Sequence, residues 1–176
     1  MKYGEGSFTG SRDGGDETAI FAAGCFWGVQ DYFDQIPGVL KTEVGYTGGH
    51  TDLPTYEMVL THTTGHAEAV RVTFDPSKVS YGTLLKQFFR MHDPTQLNRQ
   101  GPDIGDNYRS AIFYSGEDQK KAAEKAIEEL NKSGRYKKPI ATTLEPAGKW
   151  WRAEDYHQKF VQKTGRGACH VEYSPI

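Results

Sequence analysis

Between Thr18 and Lys163 this chain alternates strand-length apolar runs with amphipathic helical stretches, and each change of period falls at a glycine, a proline or a polar loop. That order constrains the fold more than any other feature. Thr18 to Gly24, apolar and ending in small residues, reads as a short buried strand. Phe26, Val29, Phe33 and Ile36 recur at helical spacing and predict a helix stopped by Pro37-Gly38. Val39 to Tyr46 alternates, with Leu40, Thr42, Val44 and Tyr46 on one face and Lys41 and Glu43 on the other. Thr47 to Gly65 reads as a long loop, and loops of that length in compact domains are usually functional. A strand over His66 to Phe74, a helix over Tyr81 to Met91 and a second polar loop over Asp93 to Asn107 follow. Ser110 to Tyr114 is a buried strand, Glu117 to Asn131 a surface helix, Ile140 to Leu144 a last strand, and Glu154 to Gln162 a short aromatic helix. This mixed order predicts an α+β fold: a two-layer sandwich of a mixed β-sheet covered by helices, with long loops and an irregular C-terminal tail. The expected division is a flexible arm over 1–17, one domain over 18–163 and a mobile tail over 164–176.

Composition excludes several function classes. With 21 Lys and Arg against 23 Asp and Glu, the net charge of −2 argues against a partner read through phosphates. No run approaches the roughly 20 apolar residues of a membrane helix. Aromatics at 12% supply a core that a disordered chain lacks. Two cysteines, Cys25 and Cys169, are too few and too far apart for a disulfide scaffold or a Cys-x-x-Cys motif. The polar first residues lack a secretory pattern, so a cytoplasmic location with reduced thiols is expected.

Cys25 follows a buried strand and opens a helix, where backbone N–H groups and the helix dipole stabilise a thiolate. Phe26 shares the apolar stripe of that helix. Trp27 lies off it, which suits an apolar pocket beside a nucleophile. Glu68 has the strand parity of Val70, Val72 and Phe74, so its carboxyl is aimed at the apolar side. Burial there favours the neutral acid, the form a general acid needs. A Glu paired with a base, or one at a wet sheet margin, fits the same pattern. Tyr56 in the first loop, and Asp103 and Tyr108 at the second, are candidates to hydrogen-bond a polarised oxygen. Cys169, flanked by Gly165 and Gly167, suits a resolving thiol on a movable segment, and equally a surface thiol without a role. The six histidines show no metal-ligand spacing, so no metal is expected.

These residues carry a family resemblance. Gly24-Cys25-Phe26-Trp27-Gly28 resembles the signature of A-type peptide methionine sulfoxide reductases. Gly45-Tyr46-Thr47-Gly48-Gly49-His50, Tyr56-Glu57, Gly65-His66-Ala67-Glu68, His92-Asp93-Pro94-Thr95, Asp103-Ile104-Gly105, Tyr108-Arg109-Ser110-Ala111-Ile112 and Ala153-Glu154-Asp155-Tyr156-His157-Gln158 follow in the family's order. The resemblance implies that Cys25 attacks the sulfoxide sulfur of the S epimer, free or in proteins, while Phe26 and Trp27 hold the S-methyl group. It implies that Glu68 protonates the oxygen, that Tyr56 and Tyr108 hydrogen-bond it, and that Asp103 assists through water. Cys25 then becomes a sulfenic acid, Cys169 closes a disulfide with it, and thioredoxin, or dithiothreitol in vitro, reduces that disulfide. It implies the α+β sandwich and no bound cofactor. Gln30 stands where the family usually has Glu, and Asp106-Asn107 where it usually has Thr-Gln. Two other function classes fit Cys25 and its aromatics alone. One is an acyl-transfer hydrolase with His50, His66 or His92 as base, the other a module binding Met-bearing peptides.

Overall fold

A computed structural model describes residues 15–167 of the chain. Its elements run β1 (Glu17–Ala23), α1 (Phe26–Asp34), β2 (Val39–Thr47), α2 (Tyr56–Leu60), β3 (Ala67–Phe74), α3 (Tyr81–Arg90), β4 (Arg99–Gln100), β5 (Asp103–Ile104), β6 (Ser110–Tyr114), α4 (Gly116–Lys132), β7 (Thr143–Pro146), β8 (Trp150–Arg152) and α5 (Phe160–Thr164). Single 3-10 turns fill Asp106–Tyr108 and Asp155–His157. Six strands form one sheet in the order β7-β6-β1-β3-β2-β8, with β6 and β7 parallel and every other pair antiparallel. The expected α+β sandwich with a mixed sheet is the fold observed.

Alternation in the strands sorts the core into two sides. Phe21, Val44, Tyr46, Val70, Val72 and Phe74 face Phe26, Val29 and Phe33 of α1 and Leu84, Leu85 and Phe88 of α3. Phe21 stacks on Phe33 and on Phe88, each at 5.2 Å between ring centres. Each such ring contributes about 1.5–3 kcal/mol by leaving water. The inner face of α4 packs Ala122, Ala126, Ile127 and Leu130 on the same side. The opposite face of the sheet buries a smaller cluster of Ile20, Ala22, Ala67, Ala69, Ala111, Phe113 and Trp150.

Several expectations about local structure need correction. Leu40 is exposed, because a bulge between Val39 and Lys41 shifts the register and turns it away from the face of Thr42, Val44 and Tyr46. Glu43 is buried rather than solvated. Arg71, its cross-strand neighbour, donates to it at 2.8 Å, Arg152 at 3.1 Å and the Trp150 indole at 2.7 Å. This cluster clamps β8, an edge strand the sequence reading did not anticipate. The first long loop contains α2, opened by Thr55, whose hydroxyl accepts from the Met58 N–H at 3.2 Å. The second contains the β4–β5 hairpin. The expected aromatic helix is two pieces, broken at Lys159 in the left-handed region (φ 59°), where its N–H donates to Gln30 Oε1 at 2.8 Å. Gln30 is therefore a buried tie between α1 and the C-terminal segment, and not a surface position.

Candidate active site

The chain leaves β1 through Gly24, whose φ of 93° is open to glycine and strained for other residues. That turn sets Cys25 as the N-cap of α1, nearly buried, with the first N–H groups of the helix beside it. One of those groups is already engaged. Phe26 N–H donates to Glu68 Oε1 at 3.3 Å, so the carboxyl from the middle of the sheet meets the helix start next to the thiol. Glu68 is 1% exposed, which removes the wet-margin reading. Its second oxygen accepts from Asn107 Nδ2 at 3.4 Å.

Two phenols complete the cluster. Tyr56 is the first residue of α2, and its backbone N–H donates to Glu154 Oε2 at 2.9 Å. Tyr108 ends the 3-10 turn after the β4–β5 hairpin. Burial raises both phenols above their ordinary range, the charge of Glu68 raises them further, and Cys25 adds to the effect. Asp103 also acts on Tyr108, while a hydrogen bond from Asn107 opposes the rise. Both groups are protonated donors at neutral pH, the state needed to hold a developing oxyanion. Cys25, Glu68, Tyr56, Tyr108 and Asp103, drawn from five separate segments, thus share one electrostatic neighbourhood.

The two aromatics after Cys25 differ in setting. Phe26 is core, 5.7 Å from the Tyr46 ring and 5.2 Å from His157. Trp27 is half-buried and stacks on Phe160 at 4.0 Å with 14° between the ring planes. Its indole N–H donates to His157 Nδ1 at 2.8 Å. His157 is fully buried, and burial pushes it down to about 4 against weaker opposing pulls from Glu154 and Glu57. Glu154 also accepts from the Tyr46 hydroxyl at 2.7 Å. The sequence reading did not assign roles to His157, Glu154 or Asn107. The signal that could have found Glu154 was the strand parity of Tyr46, which buries a hydroxyl that must find a partner.

Gly167, the last described residue, lies against the same aromatics: a β-carbon there would sit 2.8 Å from Phe160 Cδ2 and 3.1 Å from Trp27 Cε3. Cys169 lies outside the described residues. His66 and His92 are structural, each with both ring nitrogens engaged: His66 by Gly49 N–H and the Thr51 carbonyl, His92 by the Phe88 carbonyl and the Ser110 hydroxyl. This leaves the hydrolase reading without two of its three bases. Among the described residues no group of three or more His, Cys, Asp or Glu could hold a metal ion, and no helix is long and apolar enough to cross a membrane. A cavity of about 900 Å³ lined in part by Arg90, Arg99, Arg135, Lys137 and Lys138 lies apart from this cluster.

Comparison with known proteins decides the family. Residues 17–176 match the family described as Peptide methionine sulfoxide reductase. The chain belongs to this family. A Peptide methionine sulfoxide reductase MsrA of Geobacter sulfurreducens is 55% identical over 153 residues, 87% of this chain and 94% of that protein. Its counterpart in Methanothermobacter thermautotrophicus is 53% identical over 155 residues, 88% and 92% of the two chains. The reduced form of Mxr1 from Saccharomyces cerevisiae superposes with a TM-score of 0.83 at 31% identity, covering 95% of this chain and 96% of that one. The reductase is a thiol-dependent oxidoreductase of methionine sulfoxide, and its fold is that of its relatives.

Proposed function

We propose that this reductase repairs the S epimer of methionine sulfoxide, free and in proteins, with Cys25 as nucleophile and Glu68 as general acid. The observation that carries the assignment is the hydrogen bond from Phe26 N–H to Glu68 Oε1, which seats the acid at the helix start beside Cys25. The Cys25 sulfur attacks the sulfoxide sulfur while Glu68 gives its proton to the oxygen, with Tyr56 and Tyr108 donating hydrogen bonds to that oxygen and Asp103 assisting through water. Phe26 and Trp27 receive the S-methyl group, Trp27 supplying the accessible ring. The oxygen ends on Cys25 as a sulfenic acid, and methionine leaves, reduced by two electrons. The Cys169 thiol then attacks that sulfur, a Cys25–Cys169 disulfide forms, and water is released. The position of Gly167 against Trp27 supports this step. Gly167 lies against Trp27, which follows Cys25 by two positions. A thioredoxin dithiol reduces the disulfide by exchange, and dithiothreitol serves in vitro. Mxr1 from Saccharomyces cerevisiae, the relative above, has also been solved in complex with Trx2. Recycling by a dithiol belongs in a reducing compartment, and we place the protein in the cytoplasm.

Incubation with the separated S and R epimers and dithiothreitol tests the proposal. Conversion of the S epimer alone is expected. Conversion of R, or of neither, overturns it.

A further inference from the structure

His62 adopts φ 63°, a left-handed conformation it shares among the described non-glycine residues with Leu53, Asn98 and Lys159, in the loop that leads into β3. Strain of this kind persists where the surroundings hold it and gathers at functional sites. Here it turns the ring toward Asn107: His62 Nδ1 lies 2.8 Å from Asn107 Oδ1. The partner across the ring is equally specific. Gly105 has φ 140°, and a β-carbon there would lie 2.3 Å from His62 Cε1 and 2.6 Å from Asn107 Oδ1. Only glycine clears the seat that the two side chains occupy.

Asn107 is fully buried, with its amide oxygen turned to His62 and its amide nitrogen to Glu68. In the tautomer with hydrogen on His62 Nδ1, Oδ1 accepts from the ring and Nδ2 donates inward. It donates to Glu68 Oε2 at 3.4 Å, and the same side chain opposes the rise of the neighbouring Tyr108 phenol. Resting on the reading of Glu68 as the acid, we propose that Asn107 is a positioning residue that holds Glu68 and Tyr108 in one arrangement, and that His62 fixes the sense of its amide. Other groups facing Glu68 include the Phe26 N–H from α1, Cys25 at its cap, Tyr46 from β2, and Tyr56 and Tyr108 from the two loops.

The test is the single-turnover rate of the reduced protein on S-epimer sulfoxide across pH, for wild type, Asn107→Leu, His62→Gly, the double variant and Glu68→Gln. Asn107→Leu should slow the step by about 10- to 100-fold, the cost of a misplaced reacting group. Its alkaline limb should move to higher pH, because ionised Glu68 loses a donor. His62→Gly should slow the step by about 3- to 10-fold while unfolding at an equal or higher denaturant concentration, since glycine relieves the left-handed backbone. The double variant should be no slower than Asn107→Leu, because His62 acts only through Asn107. Rates within about twofold of wild type with an unmoved alkaline limb, or effects that multiply in the double variant, overturn the proposal. If Asn107→Leu fails to fold, His62→Gly alone decides. An unchanged Glu68→Gln rate would overturn the acid itself; a slow Glu68→Gln with both His62→Gly and Asn107→Leu silent overturns only this proposal.

Discussion

Lowering the pH from 7 to 5 should cost this protein stability through the buried ring of His157. His157 accepts the Trp27 indole proton at Nδ1, so its neutral form carries hydrogen on Nε2, 3.8 Å from Glu154 Oε1. Protonating Nδ1 would set two N–H donors against each other and charge a ring that water does not reach. Burial accordingly lowers the ring from 6.5 to about 4 in the folded protein. The unfolded chain takes up a proton in this window that the folded chain refuses, so the stability is present above pH 6.5 and is lost as pH falls toward 4. Integrating between the two values gives a loss of about 2 kcal/mol between pH 7 and pH 5. At a urea slope of about 2 kcal/mol per molar, the unfolding midpoint should fall by about 1 M. Other groups titrate too, so the comparison is with His157→Gln, which keeps an acceptor near Trp27 and removes the titration. Urea unfolding of both proteins at pH 7, 6 and 5 should give a stability difference that shrinks by about 2 kcal/mol as pH falls. A difference that stays constant across the window would refute the reasoning and with it the neutral, indole-bonded ring.

Three further outcomes follow from the same structure. Phe33→Ala should destabilise by about 3–5 kcal/mol in denaturant unfolding, because the ring is fully buried and stacked on Phe21. Gly45→Ala should lower the melting temperature markedly, since its β-carbon would lie 2.5 Å from the Trp150 ring and 2.6 Å from the Trp151 carbonyl oxygen; an unchanged melting temperature would contradict the β2–β8 packing. Cys169→Ser should leave the first turnover intact and abolish steady-state cycling with thioredoxin, measured by coupled NADPH oxidation. Normal cycling in that variant would remove Cys169 from the mechanism.

Much of the site was legible because it rests on two simple periods. The two-residue period of β3 put Glu68 on the face of Val70 and Val72, and the 3.6-residue period after Gly24 put Cys25 at a helix start. What was not legible depends on long-range partners. The left-handed Lys159 that splits the expected aromatic helix is held by Gln30, 129 positions away. β8 has only three residues, too few for any period, and is fixed by the Glu43 cluster. Asn107 reads as an ordinary turn residue until the fold brings it beneath Glu68. The bulge at Leu40 is a slip of one residue, which alternation counts cannot detect.

The central claim is that Cys25 removes the sulfoxide oxygen within this cluster. Mixing the fully reduced protein with excess S-epimer methionine sulfoxide, with no external reductant, tests it most directly. A burst of about one methionine per chain, with loss of the Cys25 thiol and none formed by Cys25→Ser, is the predicted result. Methionine formed by Cys25→Ser at the wild-type rate would contradict it.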